Sequence, residues 1–290
     1  MVGFLAGGES DRVARILADE LTRSFGQPVV VQNRGGAGGI IAAQYVAKAP
    51  PDGYTMLLSS MGPLSVAPLS DTQIAFHPAT DLVPISLVAM LDLVLVVHPS
   101  VPANSLSEFV AFVKANPGRV TYGSSGIGSA SHLAGELFKQ QAALDMVHVP
   151  YQGAPQIRRD ALAGDVLASF APAASVLPYV QAGRLRALAS TGASRFALMP
   201  QLPTFAEQGF PGYRVTDWYA LVAPSGTPSA IIDALNVNVA RILNAPDTTK
   251  TFAEFGLRAT PTSISAAASF IASERERWQD LLSAEQPTSR

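Results

Sequence analysis

The sequence contains no cysteine among its 290 residues, and it has few charged residues of either sign. The absence of cysteine excludes disulfides, thiolate zinc sites and thiol chemistry. Lys and Arg number 20 against 22 Asp and Glu, and charged residues make up only 14% of the chain. This balance lacks the basic excess that neutralises phosphates, so we predict no nucleic-acid binding. No HExxH pair is present and the histidines are far apart, so we predict neither a metal site nor a cofactor; they are His77, His98, His132 and His148.

The sequence also lacks a long uninterrupted hydrophobic run. The longest, 82–97, is broken by Pro84, Ser86 and Asp92 and is too short to span a bilayer, so we predict that the protein does not itself cross a membrane. The chain opens with MVGFLAGG, and we expect no secretory signal peptide within it. Apolar residues make up 48% of the chain, which excludes disorder, and its length predicts two domains.

Short apolar runs alternate with amphipathic segments along the chain. The predicted strands are 29–31, 55–58, 93–97, 120–122, 146–149, 167–170, 185–189 and 220–223. The predicted helices are 11–25, 40–48, 106–116, 131–141, 155–163, 229–244 and 266–282. This alternation predicts an α/β fold with parallel sheets and excludes the all-α and all-β classes.

Two turns rich in glycine and serine each precede a predicted helix. Their residues are Gly7, Gly8, Ser10 and Asp11 in the first, and Ser124, Ser125, Gly126, Gly128 and Ser129 in the second. A helix N-terminus leaves backbone N–H groups unpaired, glycine allows a ligand to approach closely, and serine adds a hydroxyl donor. The pattern therefore predicts anion sites that need no Lys or Arg. Ordinary helix capping by Ser10, Asp11 or Ser129 is the alternative, and the residues leave both interpretations open.

Other chemical motifs are incomplete. The stretch GIGSAS carries Ser131 where a dinucleotide-binding turn needs its third glycine, and GGAGG (35–39) is better explained as a tight turn entering a helix at Ile40. GSSGI lacks the second glycine of a nucleophile elbow. His132 and Glu136 are spaced like metal ligands, but a solvated or packing pair is more common. We therefore predict no catalytic residue, and a binding protein rather than an enzyme.

An ordered set of motifs makes the sequence recognisable over nearly its whole length. It resembles the Bug-type (TctC-like) periplasmic solute receptors of tripartite tricarboxylate transporters. The motifs are GFLAGGESDRVARILA, GQPVVVQNRGGAGG, APPDGYTMLL, NPGRVTYGSSGIGSASHLAGELFK, DMVHVPYQGAP, AGRLRALA, LPTFAEQGFPGY and WYALVAPSGTP.

The resemblance implies a type II periplasmic-binding fold, with two α/β lobes, a hinge that the chain crosses twice and a ligand cleft between the lobes. Lobe 1 would comprise residues 1–97 and 222–290, and lobe 2 residues 98–221. The implied function is an extracytoplasmic receptor, periplasmic in location. It would capture a small carboxylate (a di- or tricarboxylate, an amino acid or an aromatic acid) and deliver it to the membrane subunits of a tripartite transporter. A receptor for a membrane two-component sensor, or an enzyme on the same scaffold, is the alternative.

The resemblance also implies site residues. Both glycine turns would pin one ligand carboxylate, and the other family cleft positions match Phe4, Ser59, Ser60, Tyr151 and the segment before Trp218. Three departures from the family pattern affect this site. The first strand is short, Ala171 stands where the family often has an acidic residue, and Asp217 stands where small or neutral residues are more usual. If Asp217 faces the cleft, it would disfavour a second ligand carboxylate nearby; if it faces solvent, it has no such effect.

Overall fold

The computed structural model describes residues 1–66, 69 and 76–283, and these form a mixed α/β structure. The helices are α1 (Glu9–Phe25), α2 (Ile40–Ala47), α3 (Pro78–Asp81), α4 (Leu106–Ala115), α5 (Ala130–Ala142), α6 (Ala154–Ala163), α7 (Ala173–Gln181), α8 (Ser229–Leu243), α9 (Pro246–Glu254) and α10 (Ile264–Ser283). The strands are β1 (Leu57–Ser60), β2 (Leu82–Val97), β3 (Val120–Ser124), β4 (Met146–Pro150), β5 (Ala168–Pro172), β6 (Arg186–Ser190), β7 (Thr216–Pro224) and β8 (Arg258–Ala259). The predicted α/β class is confirmed.

The chain divides into two compact units. Unit 1 comprises the described residues of three segments, namely Met1–Met90, Trp218–Phe252 and Arg258–Arg290. Unit 2 comprises Leu91–Asp217 and Ala253–Leu257. The chain leaves unit 1 within β2 and returns to it within β7. The limits of the implied lobes, 1–97 with 222–290 and 98–221, stay a prediction.

In unit 1, β1 pairs antiparallel with β7, in a register that aligns Ser60 with Tyr219. Val2 forms single parallel bridges to Asn33 and Leu58, and its amide donates to the Gln32 carbonyl at 2.9 Å. The chain therefore runs in the same direction at Val2 and in β1, and the residues after each emerge at one edge. The prediction of a strand at 29–31 is wrong, and the short first strand that the resemblance implies is reduced to single bridges at Val2. Val2 supplies only one bridge on each side, and Val30 is 72% exposed.

In unit 2, β3 pairs in parallel with both β4 and β5, while β2 pairs antiparallel with β5 and β6. Parallel strands bring their carboxyl ends to one edge of the sheet, where ligand sites of α/β proteins commonly lie. The second glycine turn follows β3 at this edge, and Tyr151 follows β4. The sheet thus gathers chemistry-bearing residues that are far apart in sequence.

Strand β2 is longer than the sequence predicts, because polar residues within it are satisfied by distant partners. Ser86 accepts a hydrogen bond from the Thr262 amide at 3.0 Å, and Asp92 accepts one from the Thr216 hydroxyl at 2.6 Å. The sequence predicts only 93–97, since these residues and Pro84 interrupt the apolar pattern. Hydrogen bonding of buried polar groups is what makes such interruptions tolerable.

The seven predicted helices are confirmed, with ends that lie within two residues of the predicted ones. The sequence analysis missed α3, α7 and α9. Helix α7 contains Pro178, and its buried residues Ala173 and Val176 pack on an apolar cluster with Val94 and Val96 of β2. Among the described residues, no helix is both long and apolar enough to cross a membrane.

Candidate functional site

The first glycine turn, Gly7–Asp11, leads directly into α1. Helix α1 begins at Glu9 with Gly8 as its N-cap, and no side chain caps it. The capping interpretation is therefore wrong for Ser10 and Asp11, which both lie inside the first helical turn. Gly7 has a φ of 82°, in the left-handed region that glycine adopts without strain.

Asp11 holds the first turn in place. Its Oδ2 accepts hydrogen bonds from the Gly7 amide at 3.0 Å and from Arg15 Nε at 2.9 Å. Its Oδ1 accepts one from Asn33 Nδ2 at 3.0 Å, and the same amide nitrogen donates to the Phe4 carbonyl at 3.0 Å. Burial works to raise the pKa of Asp11, but the hydrogen bonds from Arg15, Gly7 and Asn33 outweigh it and the pKa lies below its usual value. A charged, buried carboxylate thus organises this turn.

The first turn keeps hydrogen-bond donors unused. Within the described part of the chain, the amides of Gly8 and Ser10 and the Ser10 hydroxyl make no hydrogen bond. These donors lie at the N-terminus of α1, where the helix dipole adds about half a positive charge. The turn can therefore accept an anion without a basic side chain.

The other predicted residues of unit 1 lie around the same edge. Phe4 is half-buried and faces Gly39, since a Cβ at Gly39 would lie 3.7 Å from the Phe4 ring. Ser59 and Ser60 are buried at the end of β1. Gly39 is also the N-cap of α2, so the GGAGG segment is indeed a tight turn into the helix that starts at Ile40.

The second glycine turn, Ser124–Ser129, joins β3 to α5. Ser129 is the N-cap of α5, and its hydroxyl accepts a hydrogen bond from the His132 amide at 3.3 Å. The capping interpretation is thus confirmed for Ser129. Gly126 and Gly128 have φ values of 115° and 78°. The turn needs glycine at both positions, because larger residues adopt these angles only with strain.

The second turn uses most of its amides internally. Its internal hydrogen bonds run from Ser125 N to Ser131 Oγ at 3.0 Å, from Gly126 N to Ser124 Oγ at 3.2 Å, from Gly128 N to His132 Nδ1 at 3.2 Å and from Ser129 N to the Gly126 carbonyl at 3.1 Å. In the described residues, the amides of Ile127, Ala130 and Ser131 make no hydrogen bond. Free donors are therefore present in this turn, but at other positions than the glycines.

Two histidines lie against the second turn. His148 Nε2 is 2.6 Å from the Ser124 hydroxyl, and the rings of His148 and His132 lie 4.4 Å apart. Burial, and then the neighbouring His132, lower the pKa of His148 to about 4, and burial likewise lowers the pKa of His132. Glu136 bonds with Lys139 and Tyr122. Glu136 is therefore engaged by Lys139 and Tyr122, and His132 by the second turn, which fits the solvated or packing alternative rather than a pair of metal ligands.

The remaining predicted residues of unit 2 have different surroundings. The Tyr151 amide donates to the Ser124 carbonyl at 2.9 Å, and burial, aided by Asp160, raises the pKa of its phenol to about 12. Ala171 pairs with Val94 and packs on the apolar cluster under α7. Asp217 is half-buried near the start of β7. Of these three, Tyr151 is the residue bonded directly to the second turn.

A cavity of about 880 Å³ lies in unit 1 and does not coincide with the predicted site. Its walls include Val2, Leu17, Val30 and Met56. None of the predicted site residues lines this cavity. Across the described residues, no group of three or more His, Cys, Asp or Glu side chains is placed to hold a metal ion.

Two α/β units, each with a glycine turn before a helix, fit the class of two-lobed solute-binding receptors. The sequence profile described as the tripartite tricarboxylate transporter family receptor matches residues 13–286. The chain therefore belongs to this family of solute-binding receptors. It is 39% identical over 279 residues to the protein BugT of Bordetella pertussis, covering 96% of this chain and 86% of BugT.

Solved structures of receptors give the same result. The Rhodopseudomonas palustris protein Rpa4515, solved with adipate, aligns with a TM-score of 0.92 at 35% identity, over 96% of this chain and 94% of the other. The malate-bound MatC (Rpa3494) from Rhodopseudomonas palustris aligns with a TM-score of 0.91 at 29% identity, over 96% of each chain. These relatives are solute-binding receptors rather than enzymes.

Proposed function

We propose that this receptor is periplasmic, that it captures a small carboxylate, and that it hands this ligand to the membrane subunits of a tripartite transporter. The observation that carries the proposal is the set of unused donors in the first turn, the Gly8 and Ser10 amides and the Ser10 hydroxyl. An anionic ligand would satisfy these donors, whereas a neutral apolar ligand would leave them unpaired.

Carboxylate is the anion that the surroundings favour. Arg15, the basic side chain bonded to the first turn, is engaged by Asp11, so charge compensation would come from amides and the helix dipole. Such a site suits a single carboxylate better than a multiply charged phosphate. Two aligned receptors were solved with the dicarboxylates adipate and malate, which supports the same ligand class.

The proposed site has one part in each unit. In unit 1 it comprises Phe4, Gly7, Gly8, Ser10, Asp11, Ser59 and Ser60. In unit 2 it comprises Ser124, Ser125, Gly126, Gly128, Ser129, Tyr151, Ala171 and Asp217. Asp11 acts in this proposal by holding Gly7 and Asn33, and not by touching the ligand, because its carboxylate would repel another carboxylate.

The test compares adipate and malate with adipamide, which has the length of adipate but no charge. Binding is measured by titration calorimetry and by the melting temperature at fixed protein concentration. A ligand present at 100 times its Kd adds about 2.7 kcal/mol to the free energy of unfolding. We expect at least one of the acids to bind and adipamide not to bind. Equal binding of adipate and adipamide, or binding of none of the three, would contradict the proposal for this ligand class.

A further inference from the structure

Two histidines that are not among the proposed ligand-binding residues contact the second turn. His132 lies on α5, two residues after its start, and His148 lies on β4 beside β3. Both are partly buried, and their rings are 4.4 Å apart at an angle of 39°. The pair therefore touches the turn from two different elements.

The contact of His132 with the turn fixes its protonation state. The Gly128 amide donates a hydrogen bond to His132 Nδ1 at 3.2 Å. A nitrogen that accepts a hydrogen bond carries no proton, so the ring is neutral and its proton is on Nε2. In the imidazolium form both nitrogens carry protons, and Nδ1–H would then oppose the Gly128 N–H. Protonation of His132 is therefore incompatible with this bond.

His148 supports the other end of the turn. Its Nε2 is 2.6 Å from the Ser124 hydroxyl, whose oxygen also accepts the Gly126 amide at 3.2 Å. The Ser124 oxygen has two lone pairs, so it can accept both the Gly126 amide and a protonated Nε2 while its own proton is donated to the Gly126 carbonyl, 3.3 Å away. Protonation of His148 therefore leaves the bond of Gly126 in place, and His148 supports the turn by packing against His132.

The charged and titratable groups around the pair are Tyr122 on β3, and Glu136 and Lys139 on α5. Tyr122 stacks on His148 with ring centres 4.9 Å apart and bonds to Glu136, while Lys139 forms an ion pair with Glu136 at 2.9 Å. Glu136 favours the protonated form of both histidines, and Lys139 opposes it. Because Lys139 largely satisfies Glu136, burial decides and keeps both imidazoles neutral.

We propose that His132 is a positioning residue, which holds the second turn in its ligand-ready form only while its ring is neutral, with His148 packed against it. Acidification would release Gly128. The effect on ligand affinity rests on the proposed function, whereas the effect on the turn does not. The two effects therefore need separate measurements.

The first experiment uses the ligand-free protein and follows the exchange protection of the Gly126 and Gly128 amides by NMR. We expect His132→Leu to lower the Gly128 protection factor about tenfold at pH 7.5. His132→Asn should keep it, because Asn Oδ1 occupies the place of Nδ1. In the unsubstituted protein, protection of Gly128 should fall as the pH is lowered from 7.5, whereas in His132→Asn it should not. His98→Asn, which changes a histidine bonded to Ser100, is the matched control and should behave like the unsubstituted protein.

Several results would overturn the proposal. The first is that the protection of Gly128 is unchanged in His132→Leu. The second is that His132→Asn loses as much protection as His132→Leu, which would indicate that the histidine acts through packing alone. Equal acid sensitivity of the unsubstituted protein and His132→Asn would also contradict it. The comparison of the unsubstituted protein with His132→Asn can be made even if His132→Leu does not fold.

The second experiment measures adipate affinity between pH 7.5 and pH 5. We expect His132→Leu to weaken binding by about 2- to 12-fold, the equivalent of one hydrogen bond, and His132→Asn to restore most of it. The affinity of the unsubstituted protein should fall on acidification, and that of His132→Asn should fall less. If the amides behave as expected but adipate does not bind at any pH, the proposed ligand is wrong and the role of His132 stands. If adipate binds with the same pH profile in both proteins, His132 does not position the site.

Discussion

The two glycine turns contain the same types of residue but use their hydrogen-bond donors differently. In the first turn a buried carboxylate, Asp11, engages Gly7 and leaves the amides of Gly8 and Ser10 unused. In the second turn, neutral side chains engage the amides of Ser125, Gly126 and Gly128. The difference teaches that glycine and serine content predicts a turn capable of anion binding, whereas the surrounding side chains decide which of its amides are available.

The largest expected effect comes from breaking the second turn at Gly126. Its φ of 115° is strained for valine, so Gly126→Val should lower the free energy of unfolding by about 1–3 kcal/mol. It should also weaken adipate binding more than about 100-fold, because the turn cannot keep its shape. Gly183→Val is the matched control, since Gly183 has a φ of 68° and open space around it. Calorimetry should show the binding loss only at Gly126, and equal losses would remove the special role of the turn.

The next effect concerns the carboxylate that organises the first turn. Asp11→Asn replaces a charged acceptor of three hydrogen bonds and should lower the free energy of unfolding by about 2–3 kcal/mol in urea denaturation. Asp81→Asn provides the control. Like Asp11, Asp81 accepts a hydrogen bond from the amide of the residue four positions earlier, here His77 at 2.8 Å, but Asp81 is more exposed. We expect a loss below about 1 kcal/mol there. Similar losses at both positions would mean that Asp11 has no special structural role.

Acid should separate the two turns. Burial lowers the pKa of His148 to about 4, below its unfolded value near 6.5, so its contribution to stability is complete above pH 6.5 and is lost as the pH falls towards 4. The pKa of Asp11 also lies below its unfolded value, so its contribution is lost only below about pH 4. Between pH 6.5 and pH 4.5, urea denaturation should show a loss of about 1–2 kcal/mol that is reduced in His148→Gln. Equal pH dependence in both proteins would contradict this assignment.

A single hydroxyl in each turn provides the last comparison. The Ser10 hydroxyl has no partner in the described part of the chain, whereas the Ser125 hydroxyl lies 3.5 Å from that of Ser131. Ser10→Ala should weaken adipate binding by about 1.5–3 kcal/mol if the hydroxyl donates to a carboxylate. Ser125→Ala should cost about 0.5–1.5 kcal/mol, because the Ser125 oxygen accepts only a long bond from the Ser131 hydroxyl and the Ser125 hydroxyl is not at the N-terminus of a helix. A larger effect at Ser125 would reverse the comparison of the turns.

Much of the fold follows from local sequence patterns. The helices of unit 1 and unit 2 that carry clear apolar stripes, such as α1 and α8, begin and end close to their predicted positions. Helix α7 escaped prediction because Pro178 lies inside it, and tertiary packing of Ala173 and Val176 stabilises it instead. Residues 29–31 have strand composition but little to pair with, since Val2 contributes one bridge. Local propensity cannot report whether a partner strand is present.

The candidate site also has a part that the sequence predicts and a part that it does not. Both turns were predictable, because glycine, serine and a following amphipathic segment are adjacent in sequence. Asn33, which joins Asp11 to Phe4, was missed, and so was the contact of His148 with Ser124. These partners lie 22 and 24 residues away from the turn residues that they contact. Asn33 lies in the NRGGAGG segment and His148 in the HVPYQG segment. The only sequence signal for these contacts is that both segments lie at or beside predicted strands.

The placement of the two tryptophans has a spectroscopic consequence. Trp218 and Trp278 are the only tryptophans in the chain, both are buried, and both belong to unit 1. Trp218 also meets the Phe270 ring edge-on at 5.4 Å, so its emission is sensitive to packing there. Tryptophan emission, excited selectively over tyrosine, therefore follows the melting of unit 1, whereas circular dichroism follows the helices of both units. A separation of the two melting curves would show that the units unfold in separate steps, and it would do so without any label.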